Sequence, residues 1–329
     1  MTPYRLFGAE TSPYSSKVRS FLDYKNINYD WVQKSSGTEE EFERHAKLAS
    51  LPLIIDPKGK TSQESTQILL NLDKSHKEPT AQPEDKACQA LCLVLEDYSD
   101  EWLIKGLFQS RWMRRRNSDG AAIRLLEQIL SGQSPARKTE ARRSVITHMQ
   151  THVAEIGVTD VNASVITGSF ERFIALLNTH LEKHAYIFGG RPSLADFAIA
   201  GQFQQVMQEG GTHDWLEKTA PALSVWAKAM LSPKADAPFA DLSELSETLL
   251  PIFRDEIAKT YLPWAEANSE SLSKRRKEVT LELDGLPYQQ KVQRHAAKSY
   301  RALKKTLEGY RSSKALQDFL KETGTDVFF

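Results

Sequence analysis

Thr11-Ser12-Pro13-Tyr14-Ser15-Ser16-Lys17-Val18-Arg19 is the stretch on which the reading of this chain turns. Before it stands Tyr4-Arg5-Leu6-Phe7-Gly8, a short apolar run closed by glycine. After it, Val18, Phe21 and Leu22 fall at i, i+3 and i+4, on one face of a helix. A strand over 4–8 therefore turns sharply into a helix over 13–25. Pro13 suits the first helical position, where the amide it lacks has no intrahelical partner. Ser12 is then the N-cap. Free amides and the helix dipole make such a start a home for an anion, so this junction is a candidate site.

On either side of it, strands and helices alternate. Asn28-Tyr29-Asp30-Trp31-Val32 reads as a second strand. The charged stretch Thr38 to Lys47 reads as a short helix, with Thr38 and Glu41 in capping-box spacing. Leu51-Pro52-Leu53-Ile54-Ile55 is a third strand opened by a proline, and Asp56-Pro57-Lys58-Gly59 is a turn that leads to a return strand from Lys60. Ile68, Leu69 and Leu72 mark a helix within 62–73. The order is βαβ, then αββα. Residues 74–83, with Pro79 and Pro83, read as a linker.

That order resembles the α/β thioredoxin-like N-terminal domain of the glutathione transferases over residues 1–77, and three features carry the likeness. Ser12-Pro13-Tyr14-Ser15 stands where glutaredoxins and omega-class transferases have a Cys-Pro-aromatic motif, with serine at both cysteine positions. Lys17-Val18 follows as it does after the catalytic serine of zeta- and phi-class enzymes. Leu51-Pro52 matches the cis-proline whose preceding residue pairs with the cysteinyl part of glutathione. Gln63-Glu64-Ser65 matches the Glu/Gln-Ser pair that holds the γ-glutamyl end. The resemblance implies glutathione as co-substrate, a small hydrophobic electrophile as its acceptor, and a homodimer. It places Ser12 in the catalytic role, with Ser15 or Ser16 as alternatives, and Leu51, Pro52, Gln63, Glu64 and Ser65 in binding. Lys34, Lys47 or neither meets the glycyl carboxylate.

The physical chemistry is consistent with those roles. A free thiol has a pKa near 8.5, so little of it is thiolate at neutral pH. A hydroxyl donor at a helix start stabilises the thiolate, each unit of depression by about 1.4 kcal/mol. Ser12 then acts as a hydrogen-bond donor and not as a nucleophile. The absence of cysteine from the motif argues against disulfide exchange of the glutaredoxin kind.

From Glu84 the pattern is helical: Leu91, Leu95, Tyr98 and Trp102 share a face, and breaks fall at Asn117-Ser118-Asp119-Gly120 and Ser131-Gly132-Gln133-Ser134-Pro135. Trp102, Phe108, Trp112 and Met113 read as core in preference to a second-substrate pocket. Ser193 and Asp196, within Gly189-Gly190-Arg191-Pro192-Ser193-Leu194-Ala195-Asp196, form a capping box. The stretch is similar to the signature that opens the buried helix of glutathione transferase C-terminal domains. An all-α domain is thus expected over 84–260. Residues 261–329 form an extension: Glu278-Val279-Thr280-Leu281-Glu282-Leu283 alternates, Asp284-Gly285 turns, and a last helix carries Tyr300, Leu303, Leu307 and Tyr310. It holds too few large apolar groups for a core of its own, so it is expected to pack on the helical domain or on a partner subunit.

Composition narrows the class further. Lys+Arg and Asp+Glu both total 43, a formal net charge of zero that recruits neither nucleic acid nor an anionic membrane. Arg111-Trp112-Met113-Arg114-Arg115-Arg116 is a local basic run, read as a solvated face or an interface. The 2 cysteines, Cys88 and Cys92, lie on one helical face as small hydrophobes, with no ligand cluster spaced for a metal. Sparse cysteine and no signal-like N-terminus place the chain in the cytoplasm. The reading is a serine-type glutathione transferase; its rival is a non-catalytic glutathione-binding or protein-interaction module of the same fold.

Overall fold

The computed structural model describes residues 2–329. Its N-terminal part runs β1 (Tyr4–Gly8), α1 (Pro13–Tyr24), β2 (Tyr29–Gln33), α2 (Glu39–His45), β3 (Leu53–Ile55), β4 (Thr61–Gln63) and α3 (Ser65–Ser75). The sheet order is β2-β1-β3-β4, with β1 parallel to β2 and antiparallel to β3, and β3 antiparallel to β4. This is the expected thioredoxin-like arrangement. Alternation along β1 sends Leu6 and Phe7 to opposite faces. Leu6 and Ile54 join Val18 and Phe21 of α1 and Ile68 and Leu69 of α3 in the main core. Phe7, Leu53 and Ile55 form a second core with Phe42 of α2.

Two local expectations fail here. Thr38 does not close a capping box with Glu41. Its hydroxyl donates instead to the Gln33 carbonyl at 2.8 Å, finishing the turn after β2, and Glu41 pairs with Arg5 of β1. The third strand begins at Leu53, not Leu51, and the Leu51-Pro52 peptide before it is cis.

The helical part contains α4 (Lys86–Tyr98), α5 (Ile104–Phe108), α6 (Arg115–Ile129), α7 (Pro135–Glu155), α8 (Ala163–Leu181), α9 (Leu194–Val206), α10 (Gly210–Thr219) and α11 (Pro221–Ala229). π-helical turns at 99–103 and 109–113 flank α5. The break expected at Asn117–Gly120 is absent, and α6 runs through it. Asn117 spends its side-chain amide on the Ser110 carbonyl (2.9 Å) and Thr212 (3.0 Å), leaving its backbone helical; the chain breaks at Arg114 instead. The basic run is also not one solvated face. Arg111 and Trp112 are buried, while Met113, Arg114, Arg115 and Arg116 are exposed. Cys88 and Cys92 are buried free thiols, and burial pushes Cys92 up to about 12.

Beyond α11 come α12 (Leu242–Pro251), a π-helical stretch over 252–261, α13 (Leu262–Ser273), the hairpin β5 (Glu278–Leu283) and β6 (Leu286–Lys291), α14 (Arg294–Leu307) and α15 (Lys314–Thr323). Asp284 and Gly285 have φ of 52° and 76°, as a two-residue hairpin turn of this hand requires. Tyr288 of β6 packs on Trp102, ring centroids 5.5 Å apart, while α14 and α15 lie on α4. Among the described residues no helix is long and apolar enough to cross a membrane.

Candidate functional site

Strand register brings the sequence-predicted residues to one edge. Phe7 pairs with Leu53, and Leu53 with Gln63. The loop after β1, the cis Leu51-Pro52 peptide before β3 and the Glu64-Ser65 junction after β4 therefore converge. The start of α1 is fixed from the helical part. Gly201 of α9 lets the Pro13 carbonyl approach so closely that an added Cβ would meet it at 2.5 Å. Gln205 donates to the Glu10 carbonyl at 2.9 Å, and buried Arg111 donates to the Thr11 carbonyl at 2.9 Å.

Ser12 is half-buried, and its Oγ accepts the Ser15 amide at 3.2 Å. Its own O–H proton has no acceptor among the described residues. Ser15 is fully buried, with Oγ accepting the Ala9 amide at 3.2 Å, a bond that pins the turn. Ser16 accepts from Gln205 at 3.1 Å.

Gln63 is likewise occupied. Its Oε1 accepts the Lys47 and Leu48 amides at 2.8 and 2.9 Å, and its Nε2 donates to the Leu48 and Ser50 carbonyls, both at 2.9 Å. Every hydrogen-bonding position of that amide is used to hold the loop that delivers Leu51. Leu51 itself has neither its N–H nor its carbonyl bonded among the described residues. Lys34 lies over the Phe42 ring, with its ammonium 3.5 Å from the Ala49 carbonyl; Lys47 is exposed on the same loop.

Glu64 has φ 71° and ψ 106°, a left-handed backbone rare for a glutamate and held here by its surroundings. No side chain caps α3, so its first amides stay open to an anion. The Ser65 hydroxyl is buried and donates to Asp100 Oδ2 at 3.3 Å.

That last contact leads to a group the sequence reading missed. Lys17, 1% exposed, donates to Glu96 and to Asp100 (2.7 Å), with Thr66 at 3.3 Å. It ties α1, α3 and α4 together at the floor of the site. Burial opposes the Lys17 charge, but Asp100 and Glu96 outweigh it and raise its pKa. One lysine does not serve two carboxylates fully, and burial pushes Asp100 up to about 6. Glu101 is pushed well above the carboxylate range, first by burial and then by Asp97 and Asp100. Tyr14 crosses from α1 to donate to the Asp100 carbonyl at 2.8 Å. His295, at the start of α14, sets its Nε2 3.5 Å from Glu64 and 3.4 Å from Glu101. The extension thus reaches the site. The signal was present in the acidic run Glu96-Asp97-Tyr98-Ser99-Asp100-Glu101 set in an apolar helix, but nothing in the sequence pairs it with Lys17 or His295.

Comparison with known proteins bears on the same segments. Residues 6–80 match the glutathione S-transferase N-terminal domain, and residues 145–229 match the glutathione S-transferase C-terminal domain. Among solved structures the chain is similar to a glutathione S-transferase from Methylobacterium radiotolerans JCM 2831 in complex with glutathione sulfonate. That match has 22% identity, covers 73% of this chain and 97% of the other, and has a TM-score of 0.44. It is also similar to the β-etherase LigF from Sphingobium sp. strain SYK-6 (18% identity, 75% and 99% covered, TM-score 0.48). A third is a glutathione S-transferase from Methylobacillus flagellatus KT with glutathione bound (22% identity, 69% and 94% covered, TM-score 0.43). No curated protein sequence matches the chain. With both family domains matched in order along one polypeptide, the chain belongs to the glutathione S-transferase superfamily.

Proposed function

We propose that this chain binds glutathione along the edge where Ser12, Leu51-Pro52 and Glu64-Ser65 converge, and activates its thiol at the start of α1 for attack on an electrophilic substrate. The observation that carries this is the pattern of free groups. Ser12 keeps an uncommitted O–H proton, Leu51 keeps both backbone groups unpaired, and the first turn of α3 is uncapped. Those are a donor for sulfur, a partner for an extended peptide and a seat for a carboxylate. Glu64 offers a carboxylate to the ligand's α-amino group.

In the reaction the thiol loses its proton to solvent, and the Ser12 hydroxyl hydrogen-bonds the thiolate without ionising. Sulfur then forms a bond to the electrophilic carbon as the leaving group departs or the π bond opens. Ser15 and Gln63 act in this reading as positioning residues, for the turn and for the Leu51 loop. A homodimer belongs to the same reading, with the outward face of α3, where Gln67, Asn71 and Lys74 stand exposed, as its surface; sedimentation velocity gives its mass directly.

Titration calorimetry with glutathione tests the reading, with binding at millimolar affinity or tighter expected. Absence of binding overturns it. Binding without turnover of any of a panel of aryl halides, epoxides and enones points to the non-catalytic module instead.

A further inference from the structure

Near Glu64 stands a second carboxyl group that the fold leaves poorly partnered. Glu101 lies in the π-helical turn 99–103, a distortion frequent at functional sites. Its side chain is 14% exposed, and its carboxyl group has one polar neighbour among the described residues, His295 Nε2 at 3.4 Å. The same nitrogen lies 3.5 Å from Glu64. Both contacts are longer than the roughly 2.7–2.9 Å of a charge-assisted hydrogen bond. The imidazole is 67% exposed, so it is free to swing out. Neither residue belongs to a matched family domain: Glu101 follows the first, and His295 comes from the extension beyond the second.

Two carboxyl groups that meet at one point do not both stay ionised without a cation between them. Around Glu101 stand Asp97, Asp100 and Glu96, against Lys105 alone, and burial together with those acids pushes its carboxyl well above the carboxylate range. We infer, on the footing of the glutathione site proposed above, that Glu101 and His295 hold one proton between them in the free protein and release it when the ligand's α-ammonium group settles between Glu64 and Glu101. In the free protein the pair is neutral, as carboxyl with imidazole or as carboxylate with imidazolium. The arriving ammonium drives that proton to solvent. It leaves a Glu101 carboxylate that accepts from the ammonium and a neutral imidazole that turns outward. Charge at the seat is conserved, since one proton leaves as one ammonium enters. A ligand without the α-amino group leaves the proton in place.

The test is titration calorimetry of the full chain near neutral pH with S-methylglutathione, which has no thiol proton of its own to lose. Heats in phosphate and in HEPES, buffers of different ionisation enthalpy, give the protons released. About 0.3–1 proton per bound ligand is expected, and by linkage the affinity rises by up to about tenfold per unit of pH. The analogue with a glutaryl group in place of γ-glutamyl lacks only the α-amino group and releases less than about 0.1 proton. S-methylglutathione likewise releases almost none from the chain carrying Glu101→Gln with His295→Gln; if that variant does not bind, the comparison of the two ligands decides alone. Binding of S-methylglutathione without proton release overturns the inference and leaves the glutathione site standing. Equal release with the glutaryl analogue does the same, and so does release that survives the double substitution. Failure of both glutathione and S-methylglutathione to bind overturns the glutathione site itself, and this inference with it.

Discussion

Two of the serine-capped helices, α1 and α9, end up as opposite kinds of surface. At α9, Ser193 is fully buried, and its box is closed by Asp196, which accepts the Ser193 amide at 2.8 Å, the Ile187 amide at 3.0 Å and the Trp226 indole at 3.2 Å. At α1, Ser12 is half-buried, proline removes the next amide, and no carboxylate of the chain enters the first turn. Both starts carry the same dipole and the same cap chemistry. What separates them is whether the chain supplies its own anion. Where it does, the helix start is a folding device; where it does not, the start is left for a ligand.

Removing the internal anion has the largest expected effect. Asp196→Ala strands three buried N–H donors and a cap, and lowers stability by about 3–5 kcal/mol in urea unfolding. The folded fraction keeps its glutathione affinity, and a loss of affinity would show that α9 is not purely structural. Ser12→Ala acts on the other axis. It lowers kcat/KM for conjugation about 10²-fold by deleting the donor to sulfur, at about 1 kcal/mol in stability. An unchanged rate moves the role to a backbone amide. Ser12→Asp sharpens the contrast by giving α1 the internal anion that α9 has. Aspartate caps well, so the Tm barely moves, but its charge opposes a thiolate and weakens glutathione about tenfold.

The sequence carried the parts of this contrast that are local. Ser12-Pro13 and Ser193 with Asp196 are each complete within a few residues, because caps and turns are settled by neighbouring backbone. The succession of strands and helices along the chain and the hairpin were legible from alternation and turn residues for the same reason. Long-range side-chain choices were not. Gln63 and Ser15 belong to a motif, and their hydrogen bonds to the 47–50 loop and to Ala9 are partners that the motif does not name. Lys17 lies 79 residues from Glu96, a partner that only folding brings to it. Thr38 and Asn117 failed as a cap and a break because each had a tertiary partner that spacing does not reveal.

A quieter version of the same contrast separates two buried carboxylates and supplies the smallest effect. Asp196, saturated by N–H donors, is pushed by burial up to about 6. Asp97 accepts hydroxyls from Ser299 of α14 and Tyr261, and burial, abetted by Glu96 and Asp100, pushes it up to about 7. A carboxyl raised above its unfolded value near 3.9 keeps a proton in the folded state that the unfolded chain has released. Its stabilising contribution is complete below about pH 4 and is lost as pH rises through its folded pKa. His180, which burial lowers to about 4, runs the other way and gains stability as pH rises towards its unfolded value, so the bulk profile mixes both signs. A difference measurement isolates Asp97. The amide of an asparagine keeps an acceptor for one hydroxyl and donates an N–H to the oxygen of the other, without a titrating proton. Asp97→Asn should therefore gain about 1 kcal/mol relative to the unaltered chain between about pH 5 and pH 6, read from paired urea curves. Parallel curves across that interval would mean that Asp97 stays ionised in the folded protein. The contact between α4 and the extension would then be a charged seam, and α14 would reach Glu64 across it for electrostatic reasons and not through apolar packing alone.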